Sequence, residues 1–333
     1  MPSNLKSPEI SIIMPAYNES AALEGTVRAV THQLSEFSFE IVIIDDGSRD
    51  GTWAEIERLG REAPEVRGVR FSRNFGHQAA LMAGLMSSRG RATIMMDSDG
   101  QHPPELIPQM VQKWREGAMV VQTLRRDIVN VGLLKRLTSR GFYRIFSWLA
   151  ETSIPAGSAD YRLLDDSVVK VIINHPRSGL FLRGFVPWTG FRTEYIVFDP
   201  QPRTAGETKY TPSRMFGFAR QGLMRFSTKP LRLATLLGGV TCGLSLAYLV
   251  YVLVTRLFIG DYQAGWASIA GLLALLGGIQ LIVMGILGEY VGMIFETHLG
   301  RPAFVIEEQL DNPAPPPPPL SDTTKKNFDH QTR

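Results

Sequence analysis

A chain of 333 residues with 44% hydrophobic content is long enough for one large domain or two modest ones. A net charge of +3 and a pI near 9.0 give too small a basic excess to argue for nucleic acid, and fit basic residues gathered beside an anionic membrane surface. The lone cysteine, Cys242, excludes an intrachain disulfide, and its apolar surroundings speak against a redox or metal role.

The N-terminus reads Met-Pro-Ser-Asn-Leu-Lys and runs straight into a strand-like stretch, so no secretory signal is expected there. Strand-like and helix-like stretches then alternate over the first 130 residues. Strands are expected at Ile10–Met14, Glu40–Ile44, Gly68–Phe71, Ala92–Met96 and Met119–Thr123, each short and β-branched or Met-rich. Helices are expected between them at Ser20–Leu34, Thr52–Arg61 and His77–Ser88. Strand–helix–strand order implies an α/β fold with a mostly parallel sheet. Ligands of such sheets bind beyond the carboxyl ends of the strands.

The unusual residues sit at those ends. The first strand runs into Pro15-Ala16-Tyr17-Asn18-Glu19, the second into Asp45-Asp46-Gly47-Ser48-Arg49-Asp50-Gly51-Thr52, the fourth into Asp97-Ser98-Asp99-Gly100-Gln101-His102. Neither Gly-x-Gly-x-x-Gly nor Gly-x-x-x-x-Gly-Lys-Ser/Thr is present, which argues against a dinucleotide site and a P-loop. Asp97-x-Asp99 after a buried strand offers hard oxygen ligands suited to Mg²⁺ or Mn²⁺, with a nucleotide diphosphate completing the shell. Such a pair alone also occurs as turn residues or helix caps. Asp50 reads as a helix-capping residue. Asp46 lies at the strand end, within reach of a nucleoside. Tyr17 is either a packing aromatic or a nucleotide contact.

Basic residues form a second set. Arg73 follows the third strand, and Arg125 and Arg126 follow the fifth. Lys135, Arg136, Arg140 and Arg144 lie in an apolar segment, the last three sharing one helix face. Met215, Phe218, Ala219, Gly222, Leu223 and Phe226 repeat at helical spacing. Both segments read as helices in the membrane interface. After residue 230 come two uncharged runs, Leu233–Thr255 and Tyr262–Gly288, each long enough to cross a bilayer as a helix. Arg214, Arg220, Arg225, Lys229 and Arg232 precede them, whereas Arg256 alone marks the tip, so the large N-terminal domain is expected to be cytoplasmic. Pro315 to Pro319 lie in a tail expected to be disordered.

Taken together, these stretches resemble the family 2, GT-A-fold polyprenyl-phosphate glycosyltransferases over residues 8 to 306. The resemblance is carried by Ile12-Ile13-Met14-Pro15-Ala16-Tyr17-Asn18-Glu19, Ile44-Asp45-Asp46-Gly47-Ser48, Ser72-Arg73-Asn74-Phe75-Gly76-His77-Gln78, Met96-Asp97-Ser98-Asp99-Gly100-Gln101, Asp160-Tyr161-Arg162-Leu163 and Gly206-Glu207-Thr208-Lys209-Tyr210. Thr208 stands where the family often has serine, which keeps a hydroxyl.

The resemblance implies a nucleotide-sugar site lined by Pro15, Tyr17, Glu19, Asp46, Arg73, Asp97 and Ser98, with Asp97, Asp99 and Gln101 holding Mg²⁺ or Mn²⁺. Asp160 and Asp99 would be the catalytic residues, Asp160 at the position usually proposed as base. Arg125, Lys135, Arg162, Arg203 and Lys209 would meet donor or acceptor phosphate. The acceptor, a phosphate monoester with a second pKa of about 6, is already mostly deprotonated at neutral pH. Asp160 is therefore expected to orient groups as much as to take a proton.

The implied organisation is a cytoplasmic catalytic domain over 1–211 with an interfacial helix near 132–150, a juxtamembrane helix over 212–230, and a hairpin over 231–290 with spans at 233–255 and 264–288. A cytoplasmic segment over 291–311 and a tail over 312–333 follow. The implied activity is inverting transfer of one hexose from UDP-glucose to undecaprenyl phosphate at the inner membrane, by a homo-oligomer of suspected tetrameric state. Other donors (GDP-mannose, UDP-GlcNAc, UDP-galacturonate, UDP-aminoarabinose) stay open. A processive synthase is disfavoured because Gln-x-x-Arg-Trp is missing, and a nucleotidyltransferase because no Gly/Arg-rich loop follows the first strand. A non-catalytic scaffold is disfavoured because Asp46, Asp97, Asp99 and Asp160 are all present.

Overall fold

The run Ile10–Ala16 is buried at every position, as a strand covered on both faces must be. In the computed structural model, which describes residues 7–126, 155, 157–175, 182–199, 229–258 and 265–311, it forms β1 at the middle of an eight-stranded sheet. β2 (Phe39–Asp45) is buried throughout as well. β3 (Val66–Phe71), β4 (Ala92–Met95), β5 (Val120–Arg125), β6 (Ser158–Asp165), β7 (Thr193–Phe198) and β8 (Ile306–Leu310) complete the sheet, in the order β7-β5-β6-β4-β1-β2-β3-β8. β4, β1, β2 and β3 run parallel to one another. β6 enters antiparallel between β4 and β5, and β8 closes the β3 edge antiparallel. β5 and β7 pair in parallel.

Three crossover helices, α1 (Ser20–Gln33), α2 (Thr52–Glu62) and α3 (His77–Ser87), cover the sheet. α2 buries Trp53, Ile56, Leu59 and Gly60, one face of a 3.6-residue repeat. α3 is buried continuously from Ala80 to Leu85. A Cβ at Gly84 would sit 2.9 Å from Ile13 and Ile44 side-chain atoms, so glycine lets this helix lie close on β1 and β2. α4 (Ile107–Arg115), α5 (Asp166–Ile173) and the short α6 (Leu182–Trp188) follow. The order β4-β1-β2 reverses direction after β1, which opens a crevice at the carboxyl ends of β1 and β4.

The opposite, amino-terminal edge is closed by a polar network. Ser11 Oγ donates to Glu40 Oε1 at 2.6 Å, Arg67 Nη1 to Glu40 Oε2 at 2.8 Å, and the Arg89 amide to Glu40 Oε1 at 2.6 Å. Arg67 also binds Asp311 Oδ1 through Nε and Nη2, at 3.0 and 2.7 Å, which ties the end of β8 to the start of β3. Leu310 fills the space above Gly60. β8 corrects the expectation that 291–311 is a segment apart from the catalytic domain, because Ile306–Leu310 pairs with β3. A strand of five residues rich in Glu and Gln carries no periodicity that reveals its partner.

Those strands and their covering helices form one unit, built from residues 1–130, 154–209 and 302–333. The second unit contains two helices, α7 (Lys229–Phe258) and α8 (Trp266–His298), packed on each other. Within them, Leu231–Tyr248 and Gly271–Phe295 have mean hydropathies of 1.3 and 2.1, with 6% and 0% of their positions buried. Helices so little buried do not belong to a folded core. At 1.5 Å per residue the helices are about 45 and 50 Å long, against a hydrocarbon core of about 30 Å. They fit a transmembrane hairpin. α8 runs on past Glu289 to His298, beyond the uncharged run that delimited the expected span. The expected interfacial helix near 132–150, the juxtamembrane stretch 212–228 and the tail 312–333 lie outside the described residues.

Removing one partner of a buried pair strands the other charge. Arg67→Ala leaves Glu40, 2% exposed, unpaired and is expected to cost ~3 kcal/mol. Asp311→Ala, at a side chain 56% exposed, is expected to cost no more than ~1 kcal/mol. Thermal midpoints of the purified variants in detergent check this, and equal losses would contradict it.

Candidate active site

Three loops meet at the carboxyl ends of β1, β2 and β4. Asn18 takes a left-handed conformation (φ 57°), the one non-glycine residue among those described to do so. Its amide donates to Ser48 Oγ at 2.9 Å, and its Oδ1 accepts the Arg49 amide at 2.9 Å. The Glu19 amide donates to Thr52 Oγ1 at 3.0 Å. Asp50 accepts from the Thr52 amide at 3.0 Å and from Ser20 Oγ at 2.9 Å, so it ties the first residue of α2 to the start of α1, while the N-cap position expected of it is held by Gly51. Tyr17 is left 40% exposed at this rim, and Glu19 is half-buried. Pro15 lies one residue before the end of β1, its carbonyl accepting from Ser98 Oγ at 2.9 Å.

Two residues expected at the nucleotide-sugar have other partners. Ser98 is buried, its hydroxyl spent on Pro15 and its carbonyl accepting from Thr26 Oγ1 at 3.1 Å. Asp46 is also buried. Its carboxylate accepts the Phe75 amide at 2.7 Å and the Gly76 amide at 3.0 Å, and so holds the loop before α3. Burial pushes the Asp46 carboxyl above its usual range, by more than those two amides pull it down. Gly47 makes the close approach feasible. Its φ is +67°, and a Cβ there would lie 2.4 Å from the Arg73 carbonyl carbon. Arg73 stays exposed, with its guanidinium 4.1 Å over the Phe75 ring.

β4 delivers the Asp-x-Asp pair. The Asp97 amide donates to His102 Nδ1 at 2.9 Å, and His102 stacks on Tyr161 at 4.8 Å. Asp99 Oδ1 accepts the Gln101 amide at 3.0 Å in an Asx turn, with Gly100 at φ +74°. Asp97 Oδ1 is buried without a hydrogen-bond partner among the described residues. No group of three His, Cys, Asp or Glu side chains able to hold a metal occurs among them. Two carboxylates of which one oxygen is orphaned fit a hard cation that draws its remaining ligands from water and substrate phosphate. Gln101 is half-buried beside them.

Asp160 enters from β6. Antiparallel pairing sets Met95 of β4 against Arg162, so two residues further Asp97 stands across from Asp160. Asp160 is 3% exposed. Arg183 grips it through Nε to Oδ1 at 2.9 Å and Nη2 to Oδ2 at 2.8 Å. Arg162 Nη2 donates to Oδ1 at 3.2 Å, and His77 Nε2 stands 3.4 Å from Oδ2 and 3.7 Å from Asp97 Oδ1. Burial alone would raise this carboxyl. The His77 hydrogen bond and the Arg183 and Arg162 charges overcome it and hold the group far below the carboxylate range. A carboxylate so held is a poor proton acceptor.

Arg162, expected at phosphate, is corrected by its place. Its side chain is 1% exposed, and it bonds the Leu182 and Ala159 carbonyls besides Asp160. Burial lowers its pKa to about 10. Arg125 is exposed at the end of β5, where Gly157, at φ +80°, accepts its amide at 2.8 Å. Lys135, Arg203 and Lys209 lie outside the described residues. His77 and Arg183 were missed. His77 stood in a quoted stretch with a helix start as its sole signal, and Arg183 had no signal, because nothing in the sequence links position 183 to position 160.

The model of glycosyl transferase family 2 matches residues 11–172, and that of the GtrB C-terminal hairpin matches residues 229–294. An uncharacterized glycosyltransferase of Synechocystis is 35% identical over 302 residues, which cover 90% of this chain and 95% of that one. A bactoprenol glucosyl transferase of Shigella phage SfV is 35% identical over 303 residues, covering 90% and 99%. A prophage bactoprenol glucosyl transferase homolog of Escherichia coli is 35% identical over 301 residues, covering 90% and 98%.

Gly47→Ala forces a side chain into a left-handed backbone, a cost of roughly 1–2 kcal/mol before any clash. It also pushes on the Arg73 backbone. The variant is expected to fold with a lowered thermal midpoint and weakened nucleotide binding, read by calorimetric titration with UDP. Wild-type affinity would show that the two loops move independently.

Proposed function

Because the chain belongs to glycosyl transferase family 2 and its C-terminal helices match the GtrB hairpin, we propose that it transfers a single hexose from UDP-glucose to a polyprenyl phosphate at a membrane. It is a glycosyltransferase by that membership. The acceptor and donor are supported by the names of the relatives from Shigella phage and Escherichia coli, whose identity of 35% extends over the hairpin as well as the sheet. The observation that carries the reading is the Asp97–His77–Asp160 juxtaposition at the switch point of the sheet, where the buried Asp97 Oδ1 has no hydrogen-bond partner among the described residues.

In this reading the hairpin lies in the inner membrane and the sheet domain in the cytoplasm, supported by the basic residues before α7. The chain works as a homo-oligomer. Pro15, Tyr17, Glu19 and Arg73 line the nucleotide side. Asp46 shapes that side from below through the Phe75 and Gly76 amides. Asp97, Asp99 and Gln101 would hold Mg²⁺ or Mn²⁺, which when bound neutralises charge on the leaving diphosphate. Arg125, Lys135, Arg203 and Lys209 supply positive charge for phosphate.

Asp160 stays ionised throughout. His77, Arg183 and Arg162 hold it below its ordinary value against the effect of burial, and an acceptor already mostly deprotonated at neutral pH has little need of a base. It serves by fixing Arg183 and His77 and by facing positive charge that develops at the anomeric carbon. One displacement, with no side chain among the described residues assigned as a nucleophile, inverts that carbon. A product that keeps the donor's configuration would overturn this.

The test is transfer of label from a panel of UDP- and GDP-sugars to undecaprenyl phosphate in detergent, with Mg²⁺ or Mn²⁺. Label is expected in the organic phase from UDP-glucose, and Asp99→Asn or EDTA is expected to lower the rate by at least about 100-fold. Chains of several sugars per lipid would favour a processive synthase. The acid limb of the rate is expected near pH 6, the second pKa of the acceptor phosphate. It should move with the pKa of an acceptor analogue, whereas a limb that ignored the acceptor would return the titration to the protein.

A further inference from the structure

Asp97, His77, Asp160 and Arg183 form a line of side chains within the sheet unit, each in reach of the next. The steps are 3.7 Å from Asp97 Oδ1 to His77 Nε2, 3.4 Å from His77 Nε2 to Asp160 Oδ2, and 2.8 Å from that oxygen to Arg183 Nη2. Asp160 is the one closed member, because the His77 side chain is 41% exposed. The Asp160 side chain is 3% exposed, whereas those of Asp97 and Arg183 are 34% and 41% exposed.

We propose that Arg183 meets the acceptor phosphate, and that the line from Asp97 to Arg183 marks the axis along which the sugar is transferred. The assignment rests on the transfer reading above. A single displacement needs nucleophile and leaving group on opposite sides of one carbon. With the diphosphate at the Asp97 end, the acceptor arrives at the far end, where Arg183 carries a partly exposed guanidinium beside Asp160. Arg162 has no surface to offer there.

Charge and geometry agree. One carboxylate against two guanidinium groups leaves Asp160, Arg162 and Arg183 with a net positive charge, which favours a dianionic phosphate monoester. Two hydrogen bonds that Arg183 donates to Asp160 fix its fork before the lipid arrives, which lowers the ordering cost of binding. In the step, a phosphate oxygen bonds to the anomeric carbon as the bond from that carbon to the diphosphate oxygen breaks. The electron pair leaves with the nucleoside diphosphate, and no proton moves.

The test compares the full-length wild type with Arg183→Gln and Arg183→Lys, using undecaprenyl phosphate and the donor found in the transfer assay. The KM for the lipid and the affinity for UDP with Mn²⁺ are read separately. The lipid KM is expected to rise about 100-fold in Arg183→Gln and about tenfold in Arg183→Lys, with UDP affinity held within about twofold. Arg183→Lys keeps the charge beside Asp160, so it reports even where the glutamine variant fails to fold. An unchanged lipid KM, or UDP affinity falling in step with it, overturns the assignment. A wild type that binds UDP yet passes sugar to no lipid phosphate overturns the transfer reading, and this assignment with it.

Discussion

A buried carboxylate is tolerated where cations and donors surround it, and Asp160 imposes that condition on the open edge of the sheet. It governs the elements nearby. Side chains alternate along β6, so Asp160 and Arg162 fall on one face and Tyr161 on the other, where it stacks on His102. Arg162 neutralises Asp160 from within its own strand, Arg183 from α6, and His77 from the first turn of α3. Gln78 adds a tie of its own, accepting the Leu182 amide at 3.1 Å and so joining the start of α3 to the start of α6. Three separate elements are thus registered on one charge.

The two edges of the sheet treat polar groups differently. At the amino-terminal edge, Ser11, Glu40 and Arg67 satisfy one another, and the amides of Arg89 and Gly90 complete the set. Such closure stabilises and leaves nothing for a ligand. At the carboxyl edge, Asp97 keeps a buried oxygen without a partner, beside the half-exposed Asp99 and the exposed Tyr17 and Arg73. The unmet requirement falls where strand order reverses, which is where an α/β sheet offers a crevice.

Much of this was legible in the sequence. The parallel strands are apolar runs with turn residues at their ends, and their alternation with helices points to a mostly parallel sheet. The Asp-x-Asp pair and the loops after β1 and β2 stood out for the same reason. Partners distant in sequence were not legible. A polar residue at a strand end looks the same whether it faces a ligand or an amide from another loop, so Ser98 and Asp46 read as ligand contacts although both bind the protein itself. Arg162 likewise read as a phosphate contact, since neither its burial nor its pairing with Asp160 is a local property. Arg183 was invisible because its meaning comes from the register of β6 against β4.

β8 shows what such distant pairing accomplishes. An exposed β3 edge would present unpaired amides and carbonyls, and the chain covers it with a strand that begins after the hairpin. Phe304, just before that strand, stacks on Phe71 at 4.9 Å. Phe71 meets Phe75 edge-on at 5.7 Å, and Phe75 gives its amide to Asp46. The covering strand therefore bears on the loop that carries Arg73 and leads into His77. Arg67 and Asp311 are 244 positions apart, yet the entropy of closing a loop grows only logarithmically with its length. A few strand hydrogen bonds, Leu310 over Gly60 and one aromatic stack are enough to offset it. The segment beyond the hairpin is thus part of the catalytic unit, and the hairpin is an excursion from a sheet that closes only after the chain has returned.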